Sequence, residues 1–548
     1  MDLGLRLTVA AGFALLPLPV LGLRLADLQV LRHGALQTRA SGEFDRVAEE
    51  AAPRADILDR EGRVLARSVP TWSCFADKAM VKDPAAFAAK LAPVLGVSAR
   101  ELEGRVRAAN RFAWLKTGMT AEQSEAIKNA RVDGVGVVPV QERVYPNGDL
   151  ARGVLGLVGA EGKGLAGAEL TLDKRLRGAP RRFELIRDGA GHSIYKSIAD
   201  DGRVPDPIRL TIDRNVQYLA EEALSEAAAK SAFKSGFAAV QDPQTGEILA
   251  MAAWPPNPLK NPLVQDAYEP GSVFKVVTAL SGLDEGVVRP DDVFYGENGR
   301  YEITPGVVIT DHEGAGDMTL GEILAKSSNI GISKVVERIG AQRFYRMCRA
   351  FGFGAKTGLP LPGETAGELK PLSDLTKVGL ASSSYGYNLQ VSAAQTLDAY
   401  SAIANGGTLW EPKLIVDGKP PVKVRRIAAE TSVRTLAGML EGVVDAGTGE
   451  TARIPGYRVA GKTGTAHKVD PVTHKYSPTA YTASFVGFLP VSAPRWTILV
   501  VLNEPKGAYY GAQTAAPIFA KIGKRLLVLG GVAPDKPADA SLATARLR

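Results

Sequence analysis

The chain opens on an uncharged run, residues 7–23 (LTVAAGFALLPLPVLGL), bracketed by Arg6 and Arg24 and followed by an amphipathic stretch at 25–37. That length just suffices to cross a bilayer if the flanking arginines snorkel. A cleaved signal has a similar outline, but this run exceeds the usual apolar region and lacks an A-x-A site, so an anchor is expected. Pro17 and Pro19 would bend such a helix. Residues 54–80 then alternate apolar and polar positions around Arg60-Glu61-Gly62-Arg63, which predicts a β-hairpin. Helical spacing follows over 83–130, with Asp83 and Ser98 placed to cap. Residues 134–205, rich in glycine and charge, predict strands and loops.

At residue 208 the texture changes to a mixed α/β pattern. A short strand and an amphipathic helix after Asp213 lead into two apolar strands joined across Pro243-Gln244-Thr245-Gly246. Further strands are predicted at 482–490 and 495–505, and a last helix at 515–529. The expected organisation is multidomain α/β: an N-terminal transmembrane helix (1–38), an extended β-rich domain (39–205), an α/β main domain (206–531) and a fraying tail (532–548).

Composition adds mainly exclusions. A chain of 548 residues exceeds one core, and 45% hydrophobic against 23% charged residues is the balance of a folded protein. The formal charge of +7 is spread along the chain without a basic arm, so no nucleic-acid partner is expected. Cys74 and Cys348 lack C-x-x-C spacing and read as buried small apolar residues. The five histidines lack paired ligand spacing, so neither metal nor other cofactor is expected.

Three short motifs carry chemistry, in order, within the second half. Ser272-Val273-Phe274-Lys275 follows Glu269-Pro270-Gly271 and opens a helical run, which places Ser272 in the first turn and the Lys275 amine one turn later on the same face. A lysine desolvated near another cation loses its proton and can activate such a hydroxyl. Alone, this spacing is most often a pair of solvent-exposed side chains. Ser327-Ser328-Asn329 reads as a break between two helices, where such residues ordinarily cap. Lys462-Thr463-Gly464-Thr465 sits on a predicted strand against the Ser272 helix, its glycine admitting a ligand close to the backbone and its cation and hydroxyls suited to a carboxylate. Lys356-Thr357-Gly358 repeats the letters in a loop without strand character, and Gly162-x-Gly164-x-x-Gly167 imitates a dinucleotide fingerprint without a strand before it; both are set aside.

S-x-x-K, S-x-N and K-T-G in this order resemble the penicillin-recognising serine enzymes. With RADILDREGRVLARS, RVYPNGDLA, GLAGAE, DPQTGEILAMA, EPGSVFK, SSNIGISK and AGKTGTA, the resemblance covers about residues 40–530 and is closest to class B penicillin-binding proteins of the division-specific, FtsI-like kind. It implies a membrane helix, a non-enzymatic pedestal and a β-lactamase-like transpeptidase domain with an antiparallel sheet flanked by helices. It further implies Ser272 as nucleophile, Lys275 as base, Ser327 as proton relay, and Asn329 orienting Lys275 and the substrate amide. Backbone N–H groups of Ser272 and Thr465 would form the oxyanion hole, and Lys462, Thr463, Gly464 and Thr465 would bind the terminal carboxylate. The implied substrates are peptidoglycan stem peptides ending in D-Ala-D-Ala, with β-lactams as covalent mimics, and the implied partners are a SEDS-type glycosyltransferase and other divisome membrane proteins at the bacterial inner membrane. A β-lactamase, a D,D-carboxypeptidase, an antibiotic sensor, an elongation-type transpeptidase and an idle scaffold are the rivals; the long pedestal argues against a lone hydrolase.

Overall fold

The computed structural model describes residues 3–15, 17–36, 45–50, 52–159, 162–187, 193–200, 202–470 and 472–536. The chain forms two compact units, and they do not divide simply at residue 205. Residues 56–67 and 143–176 fold with the chain from Asp206 onward, whereas 68–142 and 177–205 belong to the other unit.

Buried polar groups account for the two excursions. Ile57–Leu58 pairs antiparallel with Val64 and Ala66 as the alternation predicts. The turn between them closes around Asp59, fully buried, whose carboxylate accepts from Glu61 N (2.9 Å), Arg63 N (2.8 Å), Arg63 Nε (2.6 Å) and Arg214 N (3.3 Å). A buried carboxylate so surrounded holds the hairpin tip to the helix that begins at Arg214. In the second excursion Arg143 Nε donates to Glu169 at 2.6 Å, both side chains being buried, and Ala151 N donates to Glu221 of that same helix at 2.8 Å. The glycine run 162–167 lies here as well. A Cβ on Gly164 would stand 1.9 Å from Glu169 O, so the glycine serves loop packing and opens no phosphate cradle.

In the other unit, helices Pro84–Leu95 and Ala99–Ala108 start where Asp83 accepts from Ala85 N and Ala86 N, and Ser98 from Glu101 N. Their apolar faces bury Phe87, Leu91, Leu95, Leu102 and Val106 with Leu115 of strand Phe112–Met119. Strands Asp45–Glu50, Arg181–Arg187 and Ser193–Asp200 form a separate antiparallel sheet. At the N-terminus, helical segments Leu3–Leu15 and Pro17–Ala26 continue through a π-helical turn, Asp27–Leu31. Thr8–Leu31 is long and apolar enough to cross a membrane. Arg24 does not end the helix, because Arg24 and Arg32 both pair with Asp27 (2.8 and 3.0 Å).

The larger unit is built on a five-stranded antiparallel sheet: β1 (Ser235–Gln241), β2 (Ile248–Trp254), β3 (Ala460–Val469), β4 (Tyr476–Leu489) and β5 (Trp496–Asn503), in the order β2-β1-β5-β4-β3. Helices α1 (Arg214–Lys230) and α6 (Ala515–Leu529) cover one face, packing Val216, Leu224, Phe519 and Ile522 on Val240, Ile498 and Val500. Each such side chain contributes about 1.5–3 kcal/mol on burial. Helix α5 (Ala393–Ala404), buried along nearly its whole length, lies against the sheet outside this cluster. The Ser272 segment immediately precedes α2 (Lys275–Asp284), and α3 (Leu320–Ala325) and α4 (Asn329–Ile339) flank the S-x-N turn. The tail expected to fray from 532 is held through Lys536: Val532 O accepts from Tyr457 Oη (2.6 Å), and Asp535 accepts from Arg458 N (2.7 Å) and Ser492 Oγ (2.6 Å). The rest of that tail, 537–548, lies outside the described residues.

One buried acid in α5 has a measurable consequence. Asp398 accepts from Gln241 Nε2 at 2.8 Å, and burial pushes its carboxyl up to about 8. A carboxyl raised above its unfolded value stabilises the fold fully below about pH 4, and that stability is lost as pH rises toward 8. Asp398→Asn keeps the acceptor for Gln241 without the charge. It is expected to raise unfolding stability by roughly 5 kcal/mol more at pH 9 than at pH 4, read from denaturant titrations.

Candidate active site

Ser272 lies half-buried on a tight 3-10 turn, Gly271–Phe274, immediately before α2, rather than within the α-helix itself. Gly271 makes this possible with φ +59°, a conformation glycine adopts freely. Its N–H donates to Gly386 O at 3.1 Å. From below, the buried Tyr400 of α5 donates its hydroxyl to Val273 O at 2.9 Å. The turn is thus fixed from two sides.

Lys275, with no exposed surface, points its amine at the S-x-N turn. Nζ donates to Ser327 O and to Ser327 Oγ, the latter at 3.2 Å. Lys462 of β3 is equally buried and donates to the same hydroxyl at 2.9 Å. Two amines therefore meet at one serine oxygen. Burial lowers both: Lys462 to about 7, and Lys275 well below the ordinary lysine range, with the Lys462 charge adding to the effect and Asp311 opposing it. A neutral Lys275 carries a lone pair, which a base requires. Among the described residues no hydrogen bond joins Ser272 Oγ to Lys275 Nζ, an alignment that ligand-free sites commonly complete only on binding.

Strand β3 is the edge of the sheet and, among the described residues, pairs only with β4, in the register Lys462↔Val486 and Thr465↔Ala483. Alternate backbone groups on such a strand face away from its partner. Thr465 O lies 3.2 Å from where a Cβ on Gly271 would stand, so the Thr465 N–H and C=O face the Ser272 turn. A Cβ on Gly464 would stand 2.3 Å from Ser484 Oγ, 2.9 Å from Val273 Cγ1 and 3.1 Å from Pro270 O, which is why this position has no side chain. Thr463 Oγ1 donates to Thr448 Oγ1 at 3.0 Å, and Thr465 Oγ1 accepts from Gly511 N at 3.1 Å.

Asn329 departs from expectation. It begins α4 beside the site, but its amide donates to Thr310 O at 3.2 Å and reaches no atom of Lys275. Lys356-Thr357-Gly358 is a loop: Thr357 N, Thr357 Oγ1 and Gly358 N all donate to Glu364. Sequence reading missed Tyr400, Thr448 and Asp311. None belongs to a motif, and each reaches the site from a separate element. Glu269, three residues before Ser272, accepts from Asn388 N (2.8 Å) and Tyr476 Oη (3.0 Å).

Comparison with known proteins agrees with this geometry. Residues 236–524 match the penicillin-binding protein transpeptidase domain, and residues 49–203 the penicillin-binding protein dimerisation domain. The chain is 33% identical over 553 residues to peptidoglycan D,D-transpeptidase FtsI of Escherichia coli, covering 97% of this chain and 92% of that one. It is 31% identical to stage V sporulation protein D of Bacillus subtilis, covering 97% and 86%. The crystal structure of penicillin-binding protein 3 from Mycobacterium tuberculosis, complexed with aztreonam, superposes with a TM-score of 0.68 at 27% identity, covering 90% of this chain and 99% of that one. With a serine on a rigid turn, a buried amine lowered well below the ordinary lysine range and a glycine-bearing edge strand in one place, the chain belongs to the class B penicillin-binding proteins, the FtsI-like serine D,D-transpeptidases of peptidoglycan.

Proposed function

We propose that this transpeptidase works through Ser272 and Lys275 in septal wall synthesis. The observation that carries the reading is the meeting of two buried lysines at Ser327 Oγ beside the Ser272 turn. Lys275, neutral, takes the proton as Ser272 Oγ attacks the carbonyl between the two terminal D-alanines. The N–H groups of Ser272 and Thr465 receive the oxyanion, each worth about 3 kcal/mol. Ser327, accepting from both amines, passes its own proton to the departing D-alanine nitrogen and regains one from the protonated Lys275. Lys462 supplies positive potential to the terminal carboxylate. The Thr465 hydroxyl completes that site, Gly511 N leaving its proton free to donate, and Thr463 joins it once its hydroxyl turns from Thr448. Asn329 Oδ1 remains available for a substrate amide while its NH2 is held by Thr310. The amine of a second stem peptide then attacks the ester carbonyl, releases Ser272 and forms the cross-link.

β-Lactams are proposed to acylate the same serine, a reading supported by the aztreonam complex of the Mycobacterium tuberculosis relative. The N-terminal helix is proposed as a single-pass anchor in the cytoplasmic membrane, with the catalytic unit on the extracytoplasmic side. A SEDS-type glycosyltransferase and other divisome membrane proteins are the proposed partners, engaged through the anchor and pedestal. Similarity to FtsI supports the septal assignment, and midcell localisation of a fluorescent fusion tests it; uniform sidewall signal would overturn it.

A fluorescent penicillin should label the full-length chain and remain attached for many minutes. Rapid loss of the label would mark a hydrolase instead. Gly464→Ala is expected to slow this labelling about a hundredfold, because the new methyl group displaces the turn carrying Ser272, and displacement of about 1 Å has that cost.

A further inference from the structure

Ser327 adopts φ +57°, left-handed backbone that costs a non-glycine residue about 1–3 kcal/mol. Its neighbours must hold it there. The partners come from a distant segment, the residues ending strand Val307–Thr310. One carboxylate oxygen of Asp311 accepts from Asn329 N at 2.5 Å and Ile330 N at 3.1 Å; the other accepts from Ser328 Oγ at 2.5 Å. Thr310 O takes the Asn329 amide at 3.2 Å. Ser328 Oγ in turn accepts from Gly331 N at 2.8 Å. The first turn of α4 is thereby clamped immediately after Ser327, with a negative charge at the N-terminal end of the helix dipole.

We infer that Asp311 is a positioning residue of the acyl-transfer site, holding the strained Ser327 turn in register with both lysines and balancing the charge that Lys275 feels. The inference rests on the roles proposed above for Lys275 and Ser327. The groups that face Lys275 are few: Lys462 from β3, whose charge lowers it, Asp311 from the Thr310 loop, whose charge raises it, and the neutral Ser327. Tyr385 also feels the Asp311 charge. Removing the Asp311 charge leaves only the lowering influences on the Lys275 amine. The pH at which that amine becomes neutral then falls.

The test compares full-length wild type, Asp311→Asn and Asp311→Glu in detergent, measuring the second-order rate of fluorescent-penicillin acylation from pH 5 to 9. Circular dichroism confirms folding of each variant. Asp311→Asn should acylate about tenfold slower or more at its optimum, with the acid limb of its profile moved to lower pH. Asp311→Glu keeps the charge at a different reach, so its acid limb should return to the wild-type position while the rate stays reduced. An acid limb unmoved in Asp311→Asn, or a wild-type rate in that variant, overturns the inference and leaves the wild-type mechanism standing. Absence of labelling in the wild type would sink the mechanism and the inference together. If Asp311→Asn fails to fold, the glutamate variant decides: a wild-type rate overturns the inference, and a slowed rate on an unmoved limb supports it.

Discussion

Alanine in place of Ser272 is expected to abolish covalent labelling by a fluorescent penicillin, a loss on the order of 10⁶ in acylation rate, while the melting temperature stays where it was. The two halves of this result have separate causes. The hydroxyl is the only atom removed, and loss of a comparable serine nucleophile elsewhere costs about that much. The turn that presents it is held by the Gly271–Gly386 and Tyr400–Val273 hydrogen bonds, both independent of the Ser272 side chain. A half-buried hydroxyl outside the packed core is worth less than about 1 kcal/mol to stability. Intact-mass spectrometry of the penicillin-treated protein reads the first half and calorimetry the second. An adduct persisting on the alanine variant would move the nucleophile elsewhere.

Lys275→Arg is expected to slow acylation about 10³-fold and, unlike wild type, to recover nothing as pH rises to 10. A guanidinium keeps the charge and many of the donors, but it holds its proton throughout this range. Wild-type acylation should rise as Lys275 loses its proton, so the two profiles differ in shape as well as height. General-base catalysis accounts for about 10²–10⁴ of rate, which sets the size of the loss. The comparison also separates the two amines, since Lys462 remains in place in both proteins. Near-normal acylation by the arginine variant would remove Lys275 from the base's role.

Much of this site was legible because its chemistry is local in sequence. Pro270-Gly271 ahead of Ser272 announces a turn, and spacing of three residues brings Lys275 to the same face, whether that turn is α or 3-10. A glycine within an apolar strand, at Gly464, likewise signals close backbone approach. Tyr400, Asp311 and Thr448 were not legible. Each is an ordinary helix or loop residue whose importance comes only from what the fold sets beside it, and no periodicity reports a contact made across more than a hundred residues of chain, as between Tyr400 and Val273. The two excursions across the unit boundary were not legible for a related reason. Asp59 looks like a turn residue in a hairpin, which it is, but its carboxylate is spent on Arg214, far downstream. The Asn329 contact failed because a motif gives residue identity without rotamer, and Thr310 offers its amide a nearer acceptor.

The strand order has a consequence for biosynthesis. β1, from the first part of the catalytic unit, takes its second neighbour from β5, with Val240 opposite Ile498, near the end of the chain. During synthesis β1 and β2 can at first form only a hairpin, and isolated hairpins are marginal in water. The sheet, and with it the placement of its edge strand β3, is completed only once the chain has been made through residue 503. Premature termination after Lys275 but before β5 is therefore expected to yield a product that carries the serine and its lysine yet is inert toward antibiotic, so such a truncated copy cannot titrate drug away from the intact enzyme.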